Sequence, residues 1–260
     1  MIAGTGERRR SARRGWSGGQ AARAPKVAVI ALAAAALLLS GCVYLRLFEL
    51  KQQLARFDRF FSLQTQDGLA LICLTPVVRS NDIRWIGVKP EHTKKIGQAE
   101  QWQVRMVKQK SSEAPEKVPF DILLEFTFVE DKLTRVAIPE RYFALMPKSF
   151  LVGVIRSLGG GKVDQLGKQI EATVAGADIA AARPRLPAID RLLGAPTEER
   201  EDGTRSIVRY RYSPATAEPR PGVFDMILTF DTKSGDLLKW QGVTPVGKIG
   251  FDFSADRAKR

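Results

Sequence analysis

Three kinds of hydrophobic spacing follow one another along the chain. Val27–Leu39 is an unbroken run of thirteen apolar residues that stops at Ser40-Gly41-Cys42. Leu47, Leu50, Leu54, Phe57 and Phe61 then recur at intervals of three and four, with Glu49, Lys51, Arg56 and Asp58 between them. That period predicts one helix whose single apolar stripe docks on the domain that follows. Further on the period falls to two. Ile122, Leu124, Phe126 and Phe128 alternate with Leu123, Glu125 and Thr127, and Met226, Leu228 and Phe230 alternate with Ile227 and Thr229. Such alternation predicts sheets with one face on helices and a semi-polar face open to a neighbour.

The two alternating stretches are copies. Residues 104–138 and 208–242 align without gaps at an offset of 104, with eight identities at equivalent points of one pattern. Val104-Arg105 matches Val208-Arg209, Phe120-Asp121 matches Phe224-Asp225, and Leu133 matches Leu237. Each copy reads strand, Pro-containing loop, strand, tight turn, strand. The second turn, Asp231–Gly235, has a glycine for a positive φ; the first, Val129–Lys132, has none. Upstream, Asp82–Gly87 before Pro90 and Ile189–Gly194 before Pro196 predict short helices, the second opened by Pro187 and closed by Gly194. Leu69–Leu74 and Ile170–Val174 predict an extended segment before each helix.

The expected fold class is α+β: an N-terminal helix followed by two tandem β-α-β-β-β modules with antiparallel meanders. The expected organisation is a signal peptide (1–41), a lipid anchor and spacer helix (42–63), a first module (64–145), a connecting helix (146–162), a second module (163–253) and a basic tail (254–260). Gly159-Gly160-Gly161 is expected to end the connecting helix. Modules this small gain from packing together, so one continuous body is expected.

Composition changes the picture at one end. The chain carries 41 Lys+Arg against 28 Asp+Glu, a net +13, but residues 1–41 hold seven bases and one acid and supply +6 of it. A basic leader, a short apolar run and small residues before a cut form a secretory signal. The tetrad Leu39-Ser40-Gly41-Cys42 resembles the lipobox of bacterial lipoproteins. The resemblance implies cleavage before Cys42, with Leu39, Ser40 and Gly41 recognised by the peptidase and Cys42 acylated. For a Gram-negative lipoprotein the resemblance further implies that Val43, rather than Asp, after the cysteine favours the outer membrane. A retained signal anchor in the inner membrane is the alternative, because Val27–Leu45 is nineteen mostly apolar residues. Cys73, within Leu71-Ile72-Cys73-Leu74, is expected to act as a buried small hydrophobe.

Candidate chemistry adds little. Gly15-Trp16-Ser17-Gly18-Gly19 matches the nucleophile-elbow pattern but lies in the leader after no strand. Gly159-Gly160-Gly161-Lys162 lacks the upstream glycine and the Ser/Thr of a phosphate loop. His92, the single histidine, is placed in a polar loop with no cysteine or histidine cluster, so no metal is expected. Asp121 and Asp225 are duplicated strand-end residues rather than an acid–base pair. Trp85, Trp102 and Trp240 are placed at element ends, as core edges. Arg205, Arg209, Arg211 and Arg220 crowd the second copy and predict a solvated face or attraction to anionic lipid. No enzyme, cofactor or nucleic-acid partner is expected.

Leu192-Leu193-Gly194-Ala195-Pro196-Thr197, then Tyr210-Arg211-Tyr212 and Leu228-Thr229-Phe230-Asp231 with Leu237, resemble SmpA/OmlA-type outer-membrane lipoproteins. Those are small accessory subunits of the β-barrel assembly machinery. The tandem arrangement also resembles the β-lactamase-inhibitor-protein fold, whose repeats form a concave binding face. The resemblance implies a lipid-anchored envelope protein that binds another envelope protein as a scaffold. The alternative is a periplasmic ligand-binding or enzyme-inhibitor module.

Overall fold

Two ten-residue strands, β4 (Ala99–Lys108) and β10 (Arg205–Pro214), are the longest among the described residues, and β10 alternates buried and less buried positions throughout. Trp102, Val104 and Lys108 are buried on the first, and Ser206, Val208, Tyr210 and Tyr212 on the second. A computed structural model describes residues 43–64, 68–109, 120–144, 147–164, 166–176, 179, 181–215 and 223–254. The chain divides at Cys42, and Val43–Arg260 make up one compact unit.

Within that unit the order helix, two strands, helix, four strands occurs twice. The first pass is α1 (Val43–Ala55) with the single turn α2 (Phe57–Phe60), β1 (Phe61–Gln64), β2 (Leu69–Cys73), α3 (Ser80–Trp85), β3 (His92–Ile96), β4, β5 (Ile122–Val129) and β6 (Lys132–Ile138). A 3-10 turn, Glu140–Ala144, leads to the second. That pass is α4 (Lys148–Gly160), β7 (Lys162–Asp164), β8 (Gln169–Thr173), α5 (Leu186–Leu193), β9 (Glu198–Asp202), β10, β11 (Phe224–Asp231) and β12 (Leu237–Thr244), and β13 (Gly247–Asp252) follows it.

All thirteen strands among the described residues belong to one sheet, ordered β1-β2-β6-β5-β4-β10-β11-β12-β13-β8-β7, with β3 on β4 and β9 on β10. The molecule is therefore mixed α+β, dominated by its sheet. Trp102, Val104 and Met106 face Phe126, Leu124 and Ile122, while Ser206, Val208 and Tyr210 face Phe230, Leu228 and Met226. Every one of these pairs maps onto its counterpart at offset 104. The two halves join where β4 meets β10, antiparallel, with Lys108 opposite Tyr212, Val107 opposite Ser213 and Met106 opposite Pro214.

The halves differ at one place. β2 lies antiparallel on β6, whereas β8 lies parallel on β13. β13 is inserted between β12 and β8, so β8 keeps its direction relative to β12 and only its immediate neighbour changes.

Apolar side chains collect between the sheet and the helices. One cluster joins Phe150 and Val154 of α4 and Ile189 and Leu193 of α5 to Val208, Tyr210, Leu228, Phe230 and Leu237. The other joins Ile83 of α3 to Trp102, Val104, Phe126, Phe128 and Leu133, with Leu50 of α1 against it. Met106 packs on both, so the core runs across the junction. At roughly 1.5–3 kcal/mol per buried large apolar side chain, this burial is the main stabilising term.

Several expectations change. The stripe helix stops at Phe60 rather than running through Phe61, because Phe61–Gln64 pairs with β2 as an edge strand. Phe57 and Phe61 nevertheless remain stacked at 5.5 Å. β3, β7, β9 and β13 are additional strands; β3 and β9 are wholly exposed and, Ile96 apart, polar, so hydrophobic alternation does not mark those two. His92 lies on β3, not in a loop. Trp102 is not a core edge: it is fully buried in mid-strand, 4.6 Å from Phe128. The first-copy turn takes its positive φ at Glu130 and Asp131, 50° and 62°, without glycine. Asp131 also accepts a hydrogen bond from the Ser80 hydroxyl, which helps to hold that turn.

Candidate functional site

The outward residues of β4 and β10 lie on either side of the junction and form two charged groups around an apolar strip. On one side Glu91 accepts two hydrogen bonds from Arg105, at 2.7 and 3.0 Å, and Asp121 stands 3.6 Å from the same guanidinium. On the other, Glu198 accepts from Arg209 at 2.8 Å, and Asp225 accepts from Arg211 at 2.9 Å. Glu198 also lies 3.7 Å from Arg211. The hydrogen bond to Glu91 is the first of the effects that raise the Arg105 pKa, and that to Asp225 the first for Arg211. Asp121 and Asp225, equivalent in sequence, thus each hold an arginine. Between the charged groups, Val107 on β4 and Val223, the residue before β11, are exposed near Ser213, and Leu123 on β5 is exposed opposite Arg105. An apolar strip with a polar, ion-paired rim has the layout of a protein-contact surface.

The turn after α5 builds the floor of this junction. Gly194 ends the helix with φ of 70°, its N–H bonded to the Asp190 carbonyl at 2.8 Å. The next carbonyl, Ala195, accepts a hydrogen bond from Lys108 Nζ at 2.5 Å. That ammonium is buried, 5.2 Å from the Phe120 ring and 5.7 Å from the Tyr210 ring. Thr197 continues the tie: its N–H donates to the Arg209 carbonyl, and its hydroxyl oxygen accepts from the Arg211 N–H. Tyr210 donates its hydroxyl proton to Asp190 at 2.9 Å; burial, then the Asp190 charge, pushes its pKa up. The Leu-Gly-Ala-Pro-Thr segment therefore fastens the second half of the sheet to the first.

A separate cavity of about 650 Å³ opens between α4 and strands β8, β12 and β13. Arg156, Lys162, Glu171, Lys239 and Asp252 line it. Lys239 lies 3.6 Å from Glu171, and Arg156 is paired with Asp58 of α2. A smaller one, about 230 Å³, lies beside His92, Gln101, Gln103 and Glu125. Among the described residues no three His, Cys, Asp or Glu side chains gather in a metal-binding group.

Leu39, Ser40, Gly41 and Cys42 lie outside the described residues, as do the leader and Arg220. Among the described residues no helix is long and apolar enough to cross a membrane. Sequence reasoning missed Lys108, whose burial follows from its inward place in the β4 alternation. It also missed the pair formed by Arg46 of α1 and Asp82 of α3, a base on the apolar side of a helix and an acid at the third position of another. No protein-family model, curated protein or solved structure matches this chain.

Proposed function

We propose that the chain is a cell-envelope lipoprotein, cleaved before Cys42, acylated there, and acting without catalysis as a binding or scaffold subunit at the periplasmic face of the outer membrane. In this reading the folded body is two tandem β-α-β-β-β-type modules, each entered by a helix, and residues 1–41 are the signal. The partner is another envelope protein, met by the strip Val107, Leu123 and Val223 within its charged rim. A role in outer-membrane assembly or maintenance, as for the SmpA/OmlA type, fits such a surface.

One observation supports the anchor: the helix that follows the lipobox tetrad is tied to the folded body at Arg46, four residues after Cys42. Arg46 is held by the buried Asp82 through two 2.7 Å hydrogen bonds, so α1 belongs to the body from its first turn. The unbroken apolar run Val27–Leu39 is itself thirteen residues, fewer than the ~20 that cross a bilayer. A thiol anchor needs no span. The test is the intact mass of the protein from separated membrane fractions. A chain starting at Cys42 with added acyl mass, in the outer membrane, is expected; retention of Val27–Leu39 overturns the reading.

The cavity beneath α4 favours a second reading, a periplasmic module that binds a small charged ligand. That function would survive Cys42→Ser in released protein, whereas the scaffold would lose it.

A further inference from the structure

We propose that Tyr44, Leu45, Phe48 and Trp85 form a membrane-contact patch that seats the folded body on the bilayer carrying its anchor. The inference rests on the lipid anchor proposed above and adds a second point of contact. Tyr44, Leu45 and Phe48 are 62%, 66% and 57% exposed, large apolar side chains facing away from the core. They share one face of α1, at spacings of three and four residues. Trp85, at the end of α3, meets the Tyr44 ring edge-on at 5.4 Å and is itself 38% exposed, which widens the patch beyond one helix.

Two observations make lipid the occupant. The first is position: Tyr44 stands two residues after Cys42, within ~7 Å of chain, so an anchor there holds these side chains at headgroup depth. Farther from the anchor the exposed positions of α1 are Glu49, Gln52 and the small Ala55, with no large apolar side chain. The second is an internal comparison. At offset 104 α1 falls on α4, with Leu47 on Leu151, Leu54 on Leu158 and Ala55 on Gly159. Tyr44 and Leu45 then fall on Lys148 and Ser149, which are exposed and polar. The helix without an adjacent anchor thus has a polar start. Tyr and Trp are the residues that favour the membrane interface, where an amphipathic ring has both an apolar and a wet side. An acyl chain sets the distance from the bilayer; a rigid aromatic patch would also set orientation and point the sheet junction consistently.

The test uses the full processed chain in phosphatidylethanolamine–phosphatidylglycerol vesicles whose acyl chains are brominated near the headgroup. Bromine quenches tryptophan on contact, and the chain from Cys42 onward has Trp85, Trp102 and Trp240. Quenching is expected, and Trp85→Phe should abolish it while Trp102→Phe leaves it. A combined Tyr44→Ser, Leu45→Ser and Phe48→Ser variant, checked for folding by circular dichroism, should lose it too. Acylated protein whose quenching is absent, or unaffected by Trp85→Phe, overturns the patch and leaves the anchor standing. Quenching through Trp85 in a chain that retains Val27–Leu39 overturns the anchor and leaves the patch. Concentration-dependent shielding of Trp85 without bromine quenching assigns the patch to a second copy and overturns the inference.

Discussion

Lys108 and Tyr212 face each other where β4 meets β10, and they stand 104 residues apart, the offset of the internal repeat. Each is therefore paired with its own counterpart. Their neighbours obey the same rule: Gln109 donates through its side chain to the hydroxyl of Ser213, again 104 residues on, at 3.0 Å. In the helix layer Ala55 and Gly159 come into contact, also 104 apart. Two layers thus meet at self-equivalent positions, as expected when a local two-fold relates the halves of a duplicated chain.

Gly159 is where this arrangement tolerates least. A Cβ placed there would run into the backbone of Ala55, whereas one on Gly160 would meet nothing within 4 Å. Gly159→Ala is expected to push α1 off α4 and to destabilise by about 2 kcal/mol or more, as overpacking against backbone does. Gly160→Ala should be neutral to about 1 kcal/mol stabilising. Urea unfolding of both variants measures the contrast; equal midpoints would mean that the helices do not depend on this contact.

Lys108 should prove structural rather than reactive. Lys108→Met keeps most of the aliphatic stem but leaves the Ala195 carbonyl without the ammonium donor, at an expected cost of about 1–3 kcal/mol. Lys108→Ala also opens a cavity between Phe120 and Tyr210, which takes the loss to about 3–5 kcal/mol. If chemical denaturation finds the methionine variant as stable as the parent, packing rather than the hydrogen bond holds the junction.

How far the sequence reached follows from what each element buries. β5 and β11 were legible because Phe126, Phe128, Leu228 and Phe230 fall on one side of a period of two. α5 was legible because Pro187 and Gly194 mark its ends. β3 and β9 were not: His-Thr-Lys-Lys-Ile and Glu-Glu-Arg-Glu-Asp bury nothing and exist only because β4 and β10 offer them an edge. The repeat is legible without gaps from 104 to 138 and, with small length changes, back to Leu69, but not to α1, since α1 and α4 share a pattern of burial more than residue identities. The junction itself needs a pairing between distant strands, which no local spacing encodes. Lys108 could have been suspected from its inward register, but its partner Ala195 could not.

Cys73 is expected to be slow towards electrophiles. It lies half-buried in β2, and burial pushes its thiol up to about 11 from an ordinary 9.0. Thiolate is the reacting form, so alkylation of the folded protein at neutral pH should run roughly a hundredfold slower than that of a free thiol. Iodoacetamide labelling followed by mass spectrometry, with and without urea, measures this. Equal rates in both conditions would show that β2 opens readily at this edge of the sheet.

The pairing of Arg46 with Asp82 should make α1 an acid-sensitive element. Burial pushes the Asp82 carboxyl up, but hydrogen bonds from Arg46 and the Arg79 N–H, with the charges of both arginines, outweigh it and hold the group below its ordinary 3.8. A carboxyl lowered in the folded state contributes stability that is complete above the unfolded value. That contribution is lost as pH falls through the unfolded value and then the folded one. The loss should therefore begin below about pH 5 and grow towards pH 3. Arg46→Met leaves the buried carboxylate with only the Arg79 N–H and charge to offset its burial, at a cost of about 3 kcal/mol near neutrality, the lower end for breaking a buried pair. Its sign then reverses: the desolvated carboxyl of the variant rises above the unfolded value, so protonation relieves the cost as pH falls. Denaturant midpoints of the two proteins, about 3 kcal/mol apart at neutral pH, should converge on acidification. Parallel pH profiles would show that Asp82 is not the group that senses acid and that α1 is held by its apolar stripe alone.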